Sequence, residues 1–175
     1  MIQNTTEHIP KNKIKKSNSK EIIEYRNIIM GEIVKSKELV KLLGQENEEY
    51  PEDTIPYSLC YPHEYIPDTI KETGRWINFD IQANLDSRNK VFRDIKIFFF
   101  VLCHRDNSQY IENGRKYYWC DRAVCELDNI FNETNLLGVG LTEFTSNVPY
   151  YPQQKFVGRL LTFEVKDFNR GKIYG

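Results

Sequence analysis

From Trp76 the chain alternates: Ile77, Phe79, Ile81, Ala83 and Leu85 are separated by Asn78, Asp80, Gln82 and Asn84. A period of two with one wet face predicts a half-buried strand, and Asp86 to Asn89 predicts the turn that closes it. From Val91 to Cys103 a second strand places Val91, Ile95, Ile97, Phe99 and Val101 on one face and Phe92, Asp94, Lys96, Phe98, Phe100 and Leu102 on the other. Its second half is apolar on both faces. Between Trp119 and Asn132 the pattern changes to steps of three and four residues, with Cys120, Ala123, Val124, Leu127, Ile130 and Phe131 inside, which predicts an amphipathic helix. Upstream, Ile22, Ile23, Arg26, Ile29 and Met30 predict a short helix interrupted at Gly31. A second short helix is predicted with Ser36 as its N-cap, Leu39, Val40, Leu42 and Leu43 inside, and Gly44 as its stop. Downstream, a strand begins at Val139, Leu141 and Glu143, Thr145 to Lys155 reads as a loop, and Val157, Leu161, Phe163 and Val165 form the core face of a last strand. Asn113-Gly114 between Tyr110-Ile111 and Tyr117-Tyr118 predicts a small hairpin before the main helix.

The resulting order is helix, helix, strand, strand, helix, strand, strand. It predicts an α+β fold: an antiparallel sheet of about four strands with helices packed on one face. The other face is the unusual one. Phe98, Phe100 and Leu102 stand among Asn78, Asp80, Gln82, Thr162, Glu164 and Lys166, and an apolar patch on a wet face marks an interaction surface unless the Tyr-rich stretch 104–118 folds back over it. The acidic run Glu46, Glu48, Glu49, Glu52 and Asp53 reads as a solvated loop.

Composition divides the chain further. Residues 1–20 hold Lys11, Lys13, Lys15, Lys16 and Lys20 with few aliphatic anchors, which predicts an extended basic N-terminal arm ahead of a single domain over 21–175. That arm has no central apolar stretch of the kind a secretory signal carries, so a cytosolic site of synthesis is expected, with the four cysteines as thiols. The longest apolar run, Ile97 to Cys103, is far below the roughly 20 residues a membrane-spanning helix needs, so no membrane partner is expected. With 24 Lys and Arg against 25 Asp and Glu, bulk electrostatics give no general affinity for nucleic acid.

Three kinds of chemistry have candidate residues in the chain. For zinc, Cys60-x-x-His63 has a chelating spacing, but Cys103-His104 and Cys120-x4-Cys125 do not complete a second pair, and Cys103 and Cys125 read as small hydrophobes in a core. For a metal-dependent nuclease, Pro67-Asp68 followed by Asp80-Ile81-Gln82 offers acidic groups, and Glu164-Val165-Lys166 an acidic-x-Lys pair; yet Gln82 stands where a lysine is needed. For nucleophilic catalysis, Cys103 and His104 point to opposite sides of a strand. The expectation is therefore a non-enzymatic protein with no cofactor, whose candidate interface residues are Phe98, Phe100, Leu102, Tyr110, Tyr117, Tyr118, Tyr150 and Tyr151 with Lys13, Lys15 and Lys16 of the arm.

Two helices, a long strand pair from Trp76 to Cys103, a helix from Trp119 to Asn132 and a closing pair from Val139 to Phe168 resemble the small neck proteins of tailed bacteriophages, the tail terminator and tail-completion family. The stretch Phe156-Val157-Gly158-Arg159-Leu160-Leu161-Thr162-Phe163-Glu164-Val165-Lys166-Asp167-Phe168 is similar to that family's closing strand. The resemblance runs over residues 32–168. It implies a virion protein, present in host cytoplasm during assembly. It also implies self-association into a ring, commonly hexameric, that caps the tail tube protein and docks on the head-side connector. DNA would pass without sequence-specific contact. A head-closure or connector protein of the same neck is the near alternative, and a nuclease-like enzyme the distant one.

Overall fold

The computed structural model describes residues 19–67, 73–85, 91–138 and 140–168. Strands β1 (Arg75–Leu85), β2 (Phe92–His104), β5 (Glu143–Tyr150) and β6 (Phe156–Phe168) form one antiparallel sheet in the order β1-β2-β6-β5. A separate hairpin, β3 (Gln109–Glu112) and β4 (Arg115–Tyr118), follows β2 after a short 3₁₀ turn. The helices are α1 (Lys20–Lys35), α2 (Lys37–Leu42), α3 (Pro51–Thr54) and α4 (Trp119–Phe131). The α+β sheet expected from the alternation is therefore present.

One face of the sheet and the helices share the main core. Ile77 and Phe79 of β1, Ile95, Ile97, Phe99 and Val101 of β2, and Leu161, Phe163 and Val165 of β6 meet Ile29 and Ile33 of α1, Leu39 and Leu42 of α2, and Ala123, Leu127 and Phe131 of α4. Phe99 is the hub, its ring 5.0 Å from Phe131, 6.0 Å from Phe163 and 6.2 Å from Phe79. At α2 the predicted punctuation is realised: the Leu39 amide donates to Ser36 Oγ at 3.2 Å, and Gly44 takes φ of +75° just past the last turn. The Trp119 indole donates to the Leu42 carbonyl at 2.7 Å, satisfying an acceptor that the end of α2 leaves unpaired and tying α2 to the first residue of α4.

Several expectations are corrected. Gly31 does not stop the first helix, which runs on to Lys35 with Glu21, Tyr25, Ile29 and Ile33 as its buried positions, leaving Ile23 exposed. The reason lies on the sheet. Arg93, in phase with Ile95 on β2, and Asp167, in phase with Val165 on β6, are both buried and pair at 2.6 Å. Glu21 lies 3.4 Å from the same guanidinium, and the Tyr25 hydroxyl donates to Asp167 at 2.6 Å. Helix α1 is thus rotated to bring polar groups to a buried charge. The predicted loop Thr145 to Lys155 is in large part β5, an edge strand with a register shift between Phe144 and Ser146. Cys125, expected in the core, is exposed. Most of the predicted arm, including Lys13, Lys15 and Lys16, lies outside the described residues, as do the 86–89 turn and Val139.

Burial pushes the Asp167 carboxyl up, but hydrogen bonds from Arg93, Tyr25 and the Phe168 amide outweigh it and hold the group below the usual carboxylate range. A depressed carboxylate contributes stability that is complete above its unfolded pKa, about 3.9 for an aspartate, and is lost as pH falls through the lower folded value. Urea melts should therefore show Asp167→Asn removing part of the acid sensitivity below about pH 4; an identical pH slope in both proteins contradicts this.

Candidate interaction surface

The cross-strand register builds the helix-free face row by row. Trp76, Leu102, Gly158 and Tyr150 form one row; Asn78, Phe100, Leu160 and Val148 the next; Asp80, Phe98, Thr162 and Ser146 the third. At Gly158 strand β6 passes too close to β2 for a side chain, since a Cβ there would sit 2.2 Å from the Val101 carbonyl oxygen. Beyond the third row the face turns ionic, with Lys96 to Glu164 at 2.6 Å and Lys166 to Asp94 at 3.3 Å.

The first row is covered, though not by the stretch 104–118. The segment 59–61 runs beside β1, accepting hydrogen bonds from the Ile77 and Phe79 amides at its Leu59 and Tyr61 carbonyls. Asn78 then anchors the continuation: its side chain accepts from the Tyr61 amide and donates to the Tyr65 carbonyl. Tyr61 and Tyr65 stack at 4.1 Å and pack over Trp76, Leu102 and Phe156. This corrects one candidate interface residue. Leu102 is fully enclosed and presents no surface to a partner. Asn78, expected on the wet face, is likewise buried, with both amide atoms bonded.

What remains open is an apolar band of Phe98, Phe100 and Leu160, each half-buried, continuing into Val148, which is 44% exposed. Phe100 leans on Tyr150 at 5.5 Å between ring centroids. The Tyr150 hydroxyl donates to Glu64; burial first, and that carboxylate second, push it above the usual phenol range, so it stays a donor. The band reaches the edge of the sheet at β5; Phe144, also exposed at that edge, belongs to the other face, its ring 6.3 Å from Phe163.

The Tyr-rich hairpin takes a different position. Glu112 at its tip pairs with Arg122 of α4 at 3.2 Å and lies 3.7 Å from Lys41, so β3–β4 sits on the helix side of the sheet. Arg75 fixes its base, donating to the carbonyls of Asn107 and Gln109 at 3.1 and 2.9 Å while its guanidinium lies over Tyr110 and Trp119 at 5.8 and 5.5 Å. Tyr110 and Tyr118 are half-buried against the core, whereas Tyr117, Ile111, Arg115 and Lys116 face outward. The candidate interface residues thus fall on different surfaces: Phe98, Phe100 and Tyr150 at the open face, Tyr117 on the hairpin, and the exposed Tyr151 just past β5, where it acts electrostatically on Tyr118 and on Arg159, the partner of Asp121 in α4.

The other chemical candidates do not come together. Among the described residues no three of His, Cys, Asp and Glu form a group able to hold a metal ion; Cys60 is buried while His63 is exposed beside Tyr61. Asp80 is taken up by Arg26 at 2.6 Å and by the Ile81 amide, Glu164 by Lys96, and Asp68 lies outside the described residues. Cys103 joins the core while His104 packs edge-on against Phe156 at 5.7 Å.

A family model described as YomW matches residues 36–165. The chain belongs to the YomW family. No curated protein and no solved structure matches it. The YomW match begins at Ser36, the cap of α2, and ends at Val165, so it takes in α2, the hairpin, α4 and almost all of the sheet. Helix α1, which supplies Glu21 and Tyr25 to the buried charge cluster, lies ahead of the matched YomW segment.

Proposed function

We propose that this YomW-family protein is a structural component of a tailed-phage neck, forming a ring that terminates the tail tube and joins it to the head-side connector. The observation that carries the reading is the apolar band Phe98, Phe100, Leu160 and Val148 on a sheet face that no described helix covers. Burying such a band stabilises a contact by about 25 cal/mol per Å² of apolar area removed from water. The outward residues of the hairpin lie on the helix side, away from that band. Two unlike surfaces on one subunit suit head-to-tail contacts, the kind that close into rings. The resemblance of the element order to that of tail terminator and tail-completion proteins supports the same reading. A near-zero net charge suits a channel through which DNA slides, since few phosphates would be neutralised.

Sedimentation of the full chain, with electron microscopy of the particles, tests this. A closed oligomer is expected alone or on addition of tube protein, and Phe98→Asp and Tyr117→Asp should each raise the concentration needed for assembly at least about tenfold, equivalent to roughly 1.4 kcal/mol per contact. A monomer at every concentration that ignores both substitutions and binds neither tube nor connector would sink the proposal. Binding to connector but not to tube would move the protein to the head-closure position.

A further inference from the structure

Two cysteines far apart in sequence meet inside the fold. Cys103 ends the buried run of β2 and Cys120 is the second residue of α4; both are fully buried free thiols whose sulfurs lie 3.6 Å apart. Cys120 Sγ also reaches the Val157 carbonyl at 3.6 Å, which holds it against β6. Nothing in the neck reading uses this pair.

We propose that Cys103 and Cys120 are an oxidisable dithiol, converted by hydrogen peroxide to an internal disulfide that closes the base of the β3–β4 excursion. The two sulfurs are already in contact, so bond formation asks for an approach of about 1.5 Å, within reach of side-chain rotation. Cys103 is the attacking group: the hydrogen bond from Cys120 lowers its pKa, burial opposes this, and the Arg75 guanidinium lowers it further. Its thiolate attacks one peroxide oxygen, the O–O bond breaks, and the departing hydroxide takes up the proton the thiol released, giving a sulfenic acid and water. Cys120 sulfur then attacks Cys103 sulfur; the S–O bond breaks, and the hydroxyl leaves with the Cys120 proton as a second water. Two thiols lose two electrons in all and peroxide gains them. Peroxide is little larger than water, which suits a site closed to bulkier reagents.

The link would tie the strand before the hairpin to the helix after it, enclosing Tyr110, Tyr117 and Tyr118 in one loop. Closing a loop of this size raises the melting temperature by about 5–10 °C. The dithiol chemistry is independent of the neck assignment, and each can fail alone.

The test uses the full chain with Cys125→Ser, which removes the exposed thiol. After peroxide treatment the protein is denatured, alkylated with iodoacetamide and weighed. A mass lower by two hydrogens, a single alkylated thiol at Cys60 and a peptide joining Cys103 to Cys120, reversed by dithiothreitol, are expected. In Cys120→Ala/Cys125→Ser the sulfenic acid at Cys103 has no resolving thiol and is captured by dimedone added together with the denaturant, which opens the site to it. The unsubstituted chain, with Cys125 first blocked by N-ethylmaleimide, gives the same map should either variant fold poorly. Alkylation of Cys103 and Cys120 after peroxide treatment that oxidises Cys125 in the unblocked chain overturns the proposal, as does a sulfinic acid at Cys103 or a link through Cys60.

Discussion

Replacing Arg93 with Met lowers the stability of the fold by about 3–5 kcal/mol, the usual cost of removing one partner from a buried ion pair. The guanidinium is nearly inaccessible and sits 2.6 Å from Asp167 and 3.4 Å from Glu21, both also buried. Methionine fills much the same volume, so the loss is electrical: two carboxylates face each other in a medium that solvates neither. Arg93→Met/Asp167→Asn should recover a large part of the deficit, because the amide still accepts from Tyr25 and carries no charge. Urea denaturation of the two proteins reads both effects. A single variant that melts with the native protein would mean that the cluster is wetter than its burial indicates.

Phe99→Ala costs a similar amount, about 3–5 kcal/mol, or roughly 10 °C of melting temperature for a chain of this length. Phe99 is inaccessible and touches rings from β1, β6 and α4, so truncation opens a cavity that strands on either side cannot collapse into. The neighbouring Phe98→Ala provides the control. That side chain is half-buried on the opposite face, and its removal should cost the isolated subunit no more than about 1.5 kcal/mol. Equal losses from the two substitutions, measured at a concentration where the native chain is unassembled, would contradict the division into a packed face and an open one.

The strands β1 and β2 and helix α4 were legible because their sequences are periodic: Ile77 to Leu85 alternates apolar with polar residues, Val91 to Val101 keeps one apolar face throughout, and Cys120 to Phe131 carries a helical stripe. The cap at Ser36 and the stop at Gly44 were legible because their chemistry is local. Strand β5 was not. As an edge strand it has Phe144 and Val148 exposed, a bulge at Thr145 and a proline at 149, so no period of two survives. The phase of α1 departs from its apolar pattern because Glu21 and Tyr25 turn toward Arg93 and Asp167. A signal for that existed: positions 93 and 167 are charged, opposite in sign and in phase with the core positions of their own strands. For the candidate surface, the apolar band was visible in Phe98 and Phe100. The cover over Leu102 was not, because it depends on Asn78 bonding a segment far from it in sequence.

The construction of β5 also bears on behaviour at high concentration. Its outer rim is broken up: the Phe144 amide is engaged by the Asn132 side chain, Thr145 bulges out of register, and residue 149 has no amide proton to offer. A rim so interrupted resists zipping onto the same rim of another molecule. Crowded stocks should therefore stay clear of cross-β fibres, and any docking along this border must be decided by side-chain shape.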